Sequence, residues 1–307
     1  MAIATELNIN TTATADDMFA AIFGDGIQVV GGTATYSGAA TSSGTYTGAL
    51  TTIPGIVPTD SGVILSTGNV ADFTNSSGTT DTNTAAGVGV DAVGGVDGDA
   101  QLNAVSGQAT YDGAILEADF IPDGDMLTMQ FVFTSEEDPE SVNSGVNDSF
   151  GVWINGQFVE ATISVAGNIS IDSVNAGANQ NLYRDNTTDL YNTEMDGITY
   201  VLSFKAPVNA GEVNHIKIGI ADGGDQVYDS NLLIMGDSIQ TYALAMDDTI
   251  QLTANSNRTF DILANDRDES DGGLTITHLN GTAVVAGQTV TLTTGEQVRL
   301  NADGTVT

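Results

Sequence analysis

Between residues 126 and 154 the chain commits itself to β structure. Leu127, Met129, Phe131 and Phe133 alternate with residues that include Thr128 and Gln130, and Phe150, Val152 and Ile154 resume the alternation. A period of two is that of a strand with one face buried. The stretch TSEEDPESVNSGVNDSFG (134–151) is therefore a loop held between two strands. It carries Glu136, Glu137, Asp138 and Glu140, with the carbonyl-bearing Asn143, Asn147 and Asp148 close behind. IADGGDQVYDSNLLI (220–234) repeats the setting: Ile216, Ile218 and Ile220 form the incoming apolar face, and Asp222, Asp225 and Asp229 stand between strands.

Composition decides which partners such loops can have. Six Lys plus Arg against forty Asp plus Glu give a net charge of −34. Nucleic acid, whose phosphates demand a basic footprint, is excluded as a partner. Such a surface also repels anionic lipid, and no run approaches the ~20 apolar residues of a transmembrane helix, so direct membrane insertion is not expected. Two compatible readings of the charge remain: solubility in a salty medium, or carboxylates neutralised by Ca²⁺. The chain has no cysteine and 36 glycines. That fits short strands and tight turns without disulfides. The N-terminal MAIATELNIN has neither the basic nor the apolar region of a Sec signal peptide.

One helix is convincing. Thr14 is its N-cap, Asp17 closes a capping box, Met18, Phe19, Ile22 and Phe23 form its apolar face, and Gly24 follows. Further strands are expected at 150–155, 158–165, 168–174, 198–205 and 213–221, with loosely alternating outer strands between Ile27 and Thr52. Residues 74–107 read as a long loop of small residues. The polar excursion 181–197 carries Tyr183, Arg184 and Tyr191, a set able to stack on and hydrogen-bond a sugar; the plainer reading has the tyrosines pinning the loop to the sheet.

Histidine-dependent chemistry finds little support. His215 and His278 are the two histidines, and both alternate with isoleucines as structural strand residues do. No Gly-rich phosphate loop precedes a helix. A glycosidase needs two carboxylates at a set separation, yet Glu136 and Glu137 are adjacent on an extended segment and point to opposite faces. No catalytic residue is assigned. Calcium takes six to eight oxygens gathered from converging loops, and both acidic loops are oxygen-rich and nearly free of lysine. The competing reading is that Glu136 and Glu137 cap strand ends while Asn147, Asp148 and Asp222 to Asp229 build turns.

DGAILEADFIPDGDMLTMQFVF (112–133), the Ser-Glu-Glu loop, the Asn-Asp-Ser-Phe-Gly turn, the Ile-Ala-Asp-Gly-Gly-Asp-Gln-Val-Tyr-Asp-Ser run and GVILSTG (62–68) together resemble the choice-of-anchor L family of bacterial secreted and surface domains, over roughly residues 5–240. The family usually has an aromatic residue where Asp138 stands. The resemblance implies that Glu137, Asp148, Asp222 and Asp229 share a site, since strand ends at one rim of a sandwich are neighbours. It also puts Gly98, Asp99 and Leu102 at a matching position, which makes Asp99 a candidate ligand. Residues 247–307 resemble incomplete cadherin-like or immunoglobulin-like adhesin repeats.

The expected fold is mainly β: a jelly-roll-like antiparallel sandwich with one short N-terminal helix at 1–242, and a small immunoglobulin-like β module at 247–307. The expected function is a noncatalytic, extracellular, calcium-stabilised structural or adhesive protein of the bacterial surface. The alternatives are a Ca²⁺-dependent glycan-binding module using Tyr183, Arg184 and Tyr191, and a glycoside hydrolase using loop carboxylates. The expected metal ligands are Glu136, Glu137, Asn147, Asp148, Asp222, Asp225, Asp229 and Asp99. Self-association into a head-to-tail filament or matrix is the expected assembly, with a monomer as the alternative. It would form by an edge left open beside the strand ending in Val306 accepting the segment Ala2 to Thr14 from a neighbour.

Overall fold

The computed structural model describes residues 5–74, 95–161, 168–241, 256–264, 274–280, 282–292 and 295–307. It divides into two units, Met1–Gln240 and Thr241–Thr307. The first contains, in order, β1 (Asn8–Asn10), α1 (Ala15–Ile22), β2 (Ile27–Val29), β3 (Thr35–Ser37), β4 (Ser43–Thr47), α2 (Ala49–Thr52), β5 (Ser61–Ser66) and α3 (Ala100–Ser106). It continues with β6 (Thr110–Pro122), β7 (Met126–Ser135), β8 (Ser149–Ile154), β9 (Gln157–Phe158), β10 (Tyr183–Asp185), β11 (Gly197–Thr199), β12 (Leu202–Pro207), β13 (Asn214–Gly223) and β14 (Ser230–Met235).

Among the described residues these strands form two antiparallel sheets. Sheet I runs β1-β4-β5-β14-β7-β11-β10, with β12 also pairing with β7; sheet II runs β2-β6-β13-β8-β9, with β3 also pairing with β6. The sheets pack face to face. Leu127, Met129, Phe131 and Phe133 of β7 meet Phe150, Val152 and Ile154 of β8 and Ile216, Ile218 and Ile220 of β13 in one core. α1 closes one side of it with Met18, Phe19 and Ile22. Its capping box forms as the sequence implies, the Thr14 side chain accepting from the Asp17 N–H while Asp17 accepts from the Thr14 N–H.

Sheet I is buried on both faces, which the half-buried pattern of β7 did not imply. Ile64, Val132, Ile198 and Leu233 point away from the sandwich and are covered by Ile53, Ile56, Val70, Phe73 and Met195. The helix content also differs from expectation. α3 lies within the stretch read as a loop, and its Leu102 packs with Ile115 and Trp153 on the outer face of sheet II. Of that stretch, 75–94 lie outside the described residues, as do 162–167 of the expected 158–165 strand. Residues 168–174 form turns in place of a strand, touching the sheet through a Ser149–Ser170 bridge. The expected 198–205 strand is two strands, β11 and β12, both laid along β7.

The second unit has two short hairpins, His278–Leu279 with Thr282–Ala283 and Thr289–Thr291 with Gln297–Arg299. Val284, Leu300 and Val306 are its buried centre. The edge expected to be open beside Val306 is occupied on both sides. Val306 and Phe260 exchange two backbone hydrogen bonds of 3.0 Å, and Arg299 and Thr307 exchange two of 2.8 and 2.9 Å. The N-terminal segment expected to be donated likewise has a place at home, since Asn8–Asn10 pairs with β4.

Candidate functional site

Following the inward-facing side chains of each strand to one end of the sandwich leads to the site. On sheet II the apolar rows continue, at the same alternation, into Asp112 before Ala114 and Leu116, Asp222 after Ile218 and Ile220, and Asp148 before Phe150 and Val152. Pairing of Ala221 with Ser149 sets Asp222 beside Asp148. On the other flank the β13–β6 register shifts between Ile220 and Asp222, and Asp112 takes a positive φ of 50°. A bulge of this kind re-aims a side chain, here bringing a third carboxylate to the same rim. On sheet I the inward rows end in hydroxyls. Thr67 follows Leu65, Ser230 precedes Leu232 and Ser135 follows Phe133, with Ser230 paired to Ser135 and joined to Thr67 by N–H bonds in both directions, 2.9 Å to its hydroxyl and 3.0 Å from its amide. Three acids thus face three hydroxyls between the sheets.

All of these groups are closed to solvent; Asp148 and Asp222 are each 1% exposed. Asp148 is the better supported of the two. Its Oδ1 accepts from the Gly223 N–H at 3.0 Å and its Oδ2 from the Ser230 hydroxyl at 2.7 Å. Neither oxygen of Asp222 has a donor at hydrogen-bonding geometry. Burial raises both carboxyls well above the usual range, and neighbouring negative charge raises them further: Glu137 acts on Asp148, and Asp148, Asp229 and Asp112 act on Asp222. Asp229 completes the group from the residue before β14. Its carboxylate lies over Gly68, where an added Cβ would stand 2.0 Å from Oδ2, so only glycine permits this approach.

A second acidic group stands beside the first, on the far side of β7. Glu136 and Glu137 are buried, the Glu136 N–H donates to the Asp229 carbonyl at 3.1 Å, and the Glu137 N–H donates to the Ser135 hydroxyl at 3.0 Å. Both Glu137 oxygens and Asp138 Oδ1 are buried without a hydrogen-bond partner. Burial pushes Glu137 to about 7, with Asp225 and Glu140 adding to the rise and the Ser141 hydroxyl opposing it. Burial pushes Asp138 to about 8, followed by the charges of Glu137, Asp196, Glu140 and Asp172. The Asp138 carboxylate lies over Gly197, where a Cβ would meet Oδ2 at 2.2 Å. The charges acting most strongly on these carboxyls are all negative.

Of the expected residues, the structure places Asp148, Asp222 and Asp229 in the first group and Glu136 and Glu137 in the second. Asn147 adjoins them as a brace, its Nδ2 donating to the Ser106 carbonyl at 2.8 Å and its Oδ1 accepting from the Asp172 N–H at 3.3 Å. Asp225 lies within reach of Glu137 but builds a turn, accepting from the Val227 N–H at 3.2 Å. Asp99 stands apart from both groups. It is the N-cap of α3, with Oδ1 accepting from the Gln101 and Leu102 N–H groups at 3.0 Å and Oδ2 held by Lys217 Nζ at 2.8 Å. Burial alone would raise this carboxyl, but Lys217 and the two amides outweigh it and hold it below the usual range.

The residues of the expected sugar platform make contacts within the fold. Arg184 is buried, donates to the carbonyls of Gly55, Ile56 and Thr199, and has its guanidinium carbon 5.1 Å from the Tyr191 ring centroid and 4.9 Å from that of Tyr200. Tyr183 packs against the main core. These residues pin the loop to sheet I. His215 sits between Asp119 at 2.8 Å and Glu117 at 3.4 Å on the outer face of sheet II, and His278 lies in the second unit. Asp112, Asp138, Asp196 and the buried Glu194 were not among the expected site residues. For Asp112 the signal was present, since it extends the alternation of β6 by one step.

Among the described residues no group of three or more Asp, Glu, His or Cys side chains is arranged, as those side chains stand, to hold a metal ion. The donors gathered here are nonetheless all oxygen: carboxylates, hydroxyls and backbone carbonyls. That is the chemistry of a hard cation, which takes carbonyls and water alongside carboxylates.

No curated protein and no solved structure matches the chain significantly. No helix among the described residues is long and apolar enough to cross a membrane. The choice-of-anchor L domain matches residues 7–240 and leaves the C-terminal unit uncovered. The match points to a secreted or surface protein and spans well over half of the sequence, so the chain belongs to the choice-of-anchor L domain family.

Proposed function

We propose that this chain is a noncatalytic structural or adhesive module of the cell exterior, whose sandwich is locked at its acidic end by bound Ca²⁺. The observation that carries the reading is Asp222. It is a carboxylate closed to solvent, beside Asp148, with neither oxygen meeting a donor at full hydrogen-bonding geometry and the Thr67 hydroxyl offsetting its charge only in part. An ionised carboxylate in that position is costly unless a counter-charge reaches it. Extracellular media supply Ca²⁺ at concentrations that oxygen-rich sites of modest affinity can use. Asp148, Asp222 and Asp112 belong to sheet II, whereas Asp229 and the Thr67, Ser135 and Ser230 hydroxyls belong to sheet I. A cation held among them cross-links the two layers and stiffens a load-bearing module.

The same burial argues against hydrolysis, because a glycosidase must present an acid and a base to substrate, and these carboxylates are 1–3% exposed. The test is thermal unfolding of the full chain, first stripped of metal and shown to be metal-free, then melted with EGTA or with Ca²⁺ at high NaCl. The melting temperature is expected to rise with Ca²⁺. Identical curves would remove the calcium lock.

A further inference from the structure

The rim holds two acidic groups, and their spacing separates them. The first lies between the ends of β5, β14 and β13 and contains Asp112, Asp148, Asp222 and Asp229. The second is centred on Asp138, which rests on Gly197 of β11. Across sheet I, Ser230 of β14 pairs with Ser135 of β7, and Ser135 pairs with Gly197 of β11. The backbone positions beneath the two groups, Ser230 and Gly197, are therefore two strand spacings apart, roughly 10 Å. One Ca²⁺ binds oxygens at about 2.3–2.6 Å, so oxygens sharing an ion lie within roughly 5 Å of one another. An ion seated over Ser230 therefore does not reach oxygens centred over Gly197.

Each group holds its own unmet demand. In the inner group it is Asp222, neither of whose oxygens meets a donor at full hydrogen-bonding geometry; in the outer it is Asp138 Oδ1 and both oxygens of Glu137, on side chains 3% and 1% exposed. Glu137 acts electrostatically on both Asp148 and Asp138 and so couples the two groups. The surroundings differ as well. The inner group is sealed by the sheets, while the outer has exposed Glu140 and half-buried Asp172 and Asp196 at its mouth.

We infer that the domain binds two divalent cations: an inner ion at Asp148, Asp222 and Asp229, and a second, outer ion at Glu137, Asp138 and Asp196, with the Glu137 carboxylate coupling them. This rests on the calcium reading above and extends it. The outer ion, open to water through Glu140 and Asp172, exchanges faster and binds more weakly. It also has an optical reporter of its own, because the Tyr183 phenol stands in the field of Asp138, Asp185, Asp196 and Glu140.

Calorimetric titration of CaCl₂ into the metal-stripped full chain is expected to give two ions per chain. Asp138→Asn and, independently, Asp196→Asn should each leave one ion, with that remaining ion changed less than about threefold in affinity. Asp222→Asn should remove the tight ion. Tb³⁺ emission excited through tyrosine should fall at least severalfold in Tyr183→Phe while the calorimetric stoichiometry stays at two. One ion in the unmutated chain, or two ions retained in both Asp138→Asn and Asp196→Asn, overturns the outer site and leaves the calcium lock standing. No binding at all overturns both.

Discussion

Replacing Asp222 with Asn should stabilise the metal-free protein and remove most of its gain from calcium. The substitution keeps the shape of the side chain and deletes one negative charge from a rim where Asp112, Asp148 and Asp229 already repel it. In the metal-free chain neither oxygen of Asp222 meets a donor at full hydrogen-bonding geometry, and leaving a buried group unsatisfied costs about 1–3 kcal/mol, more when it is charged. The Asn amide can donate to the neighbouring Asp148, so metal-free Asp222→Asn should be more stable than the parent by about 1–3 kcal/mol. Calcium acts in the opposite direction. An ion that binds only the folded form adds about 2.7 kcal/mol at a hundredfold excess over its dissociation constant. For a unit of this size a change of 1 kcal/mol moves the melting temperature by about 2–4 °C. The parent should therefore gain about 5–11 °C on adding Ca²⁺, and the variant should gain only what an outer ion contributes. Trp153, the single tryptophan, lies on β8 five residues after Asp148 and reports the unfolding of this unit separately from the C-terminal one. A metal-free variant less stable than the parent, with the full calcium increment retained, would refute the reasoning.

Four further outcomes follow from the same contacts. Glu137 and Asp138 have carboxyls raised in the folded state to about 7 and about 8, from 4.5 and 3.8. Their contribution to metal-free stability is intact below the unfolded range and is lost as pH rises through those folded values. The metal-free melting temperature should therefore fall between about pH 5 and 8.5, and saturating Ca²⁺ should flatten the fall; a rise with pH would contradict the burial seen here. Gly68→Ala forces a Cβ against the Asp229 carboxylate and should weaken the tighter calcium ion at least tenfold in calorimetry while far-UV dichroism is unchanged. Asp99→Ala removes a helix cap and the Lys217 pair, and should cost about 1–2 kcal/mol with no change in calcium stoichiometry. Arg184→Lys keeps the charge but loses the planar fork between Tyr191 and Tyr200, so the melting temperature should drop by several degrees; an unchanged value would mean the clamp is not structural.

How much of this was legible in the sequence depends on how each residue is used. Alternation alone located β7, β8 and β13, because one face of each is apolar throughout, and the capping box at Thr14 and Asp17 located α1. The same alternation, carried one step past the last apolar residue, leads to Asp148 and Asp222 and would have led to Asp112. The second buried face of sheet I was legible in principle from the continuous apolar runs around Ile64 and Leu233, since strands covered on both sides lose their alternation. The contacts of Asp99 were not legible, because an N-cap and a metal ligand make the same demand on a short carboxylate after glycine. Those of Arg184 were not legible either, because burial of a guanidinium depends on distant carbonyls at Gly55 and Ile56 that no local pattern reveals. Asp138 and Asp196 meet only through the pairing of β7 with β11, a contact about sixty residues apart along the chain.

The measurement that tests the central claim most directly is a crystal structure of the full chain grown in Ca²⁺, with anomalous scattering used to distinguish the ion from water. A calcium peak among Asp148, Asp222 and Asp229, with carboxylate oxygens at about 2.3–2.6 Å, is the expected result. A rim free of anomalous density in saturating Ca²⁺, with protonated carboxyls hydrogen-bonded to one another across the sheets, would contradict it.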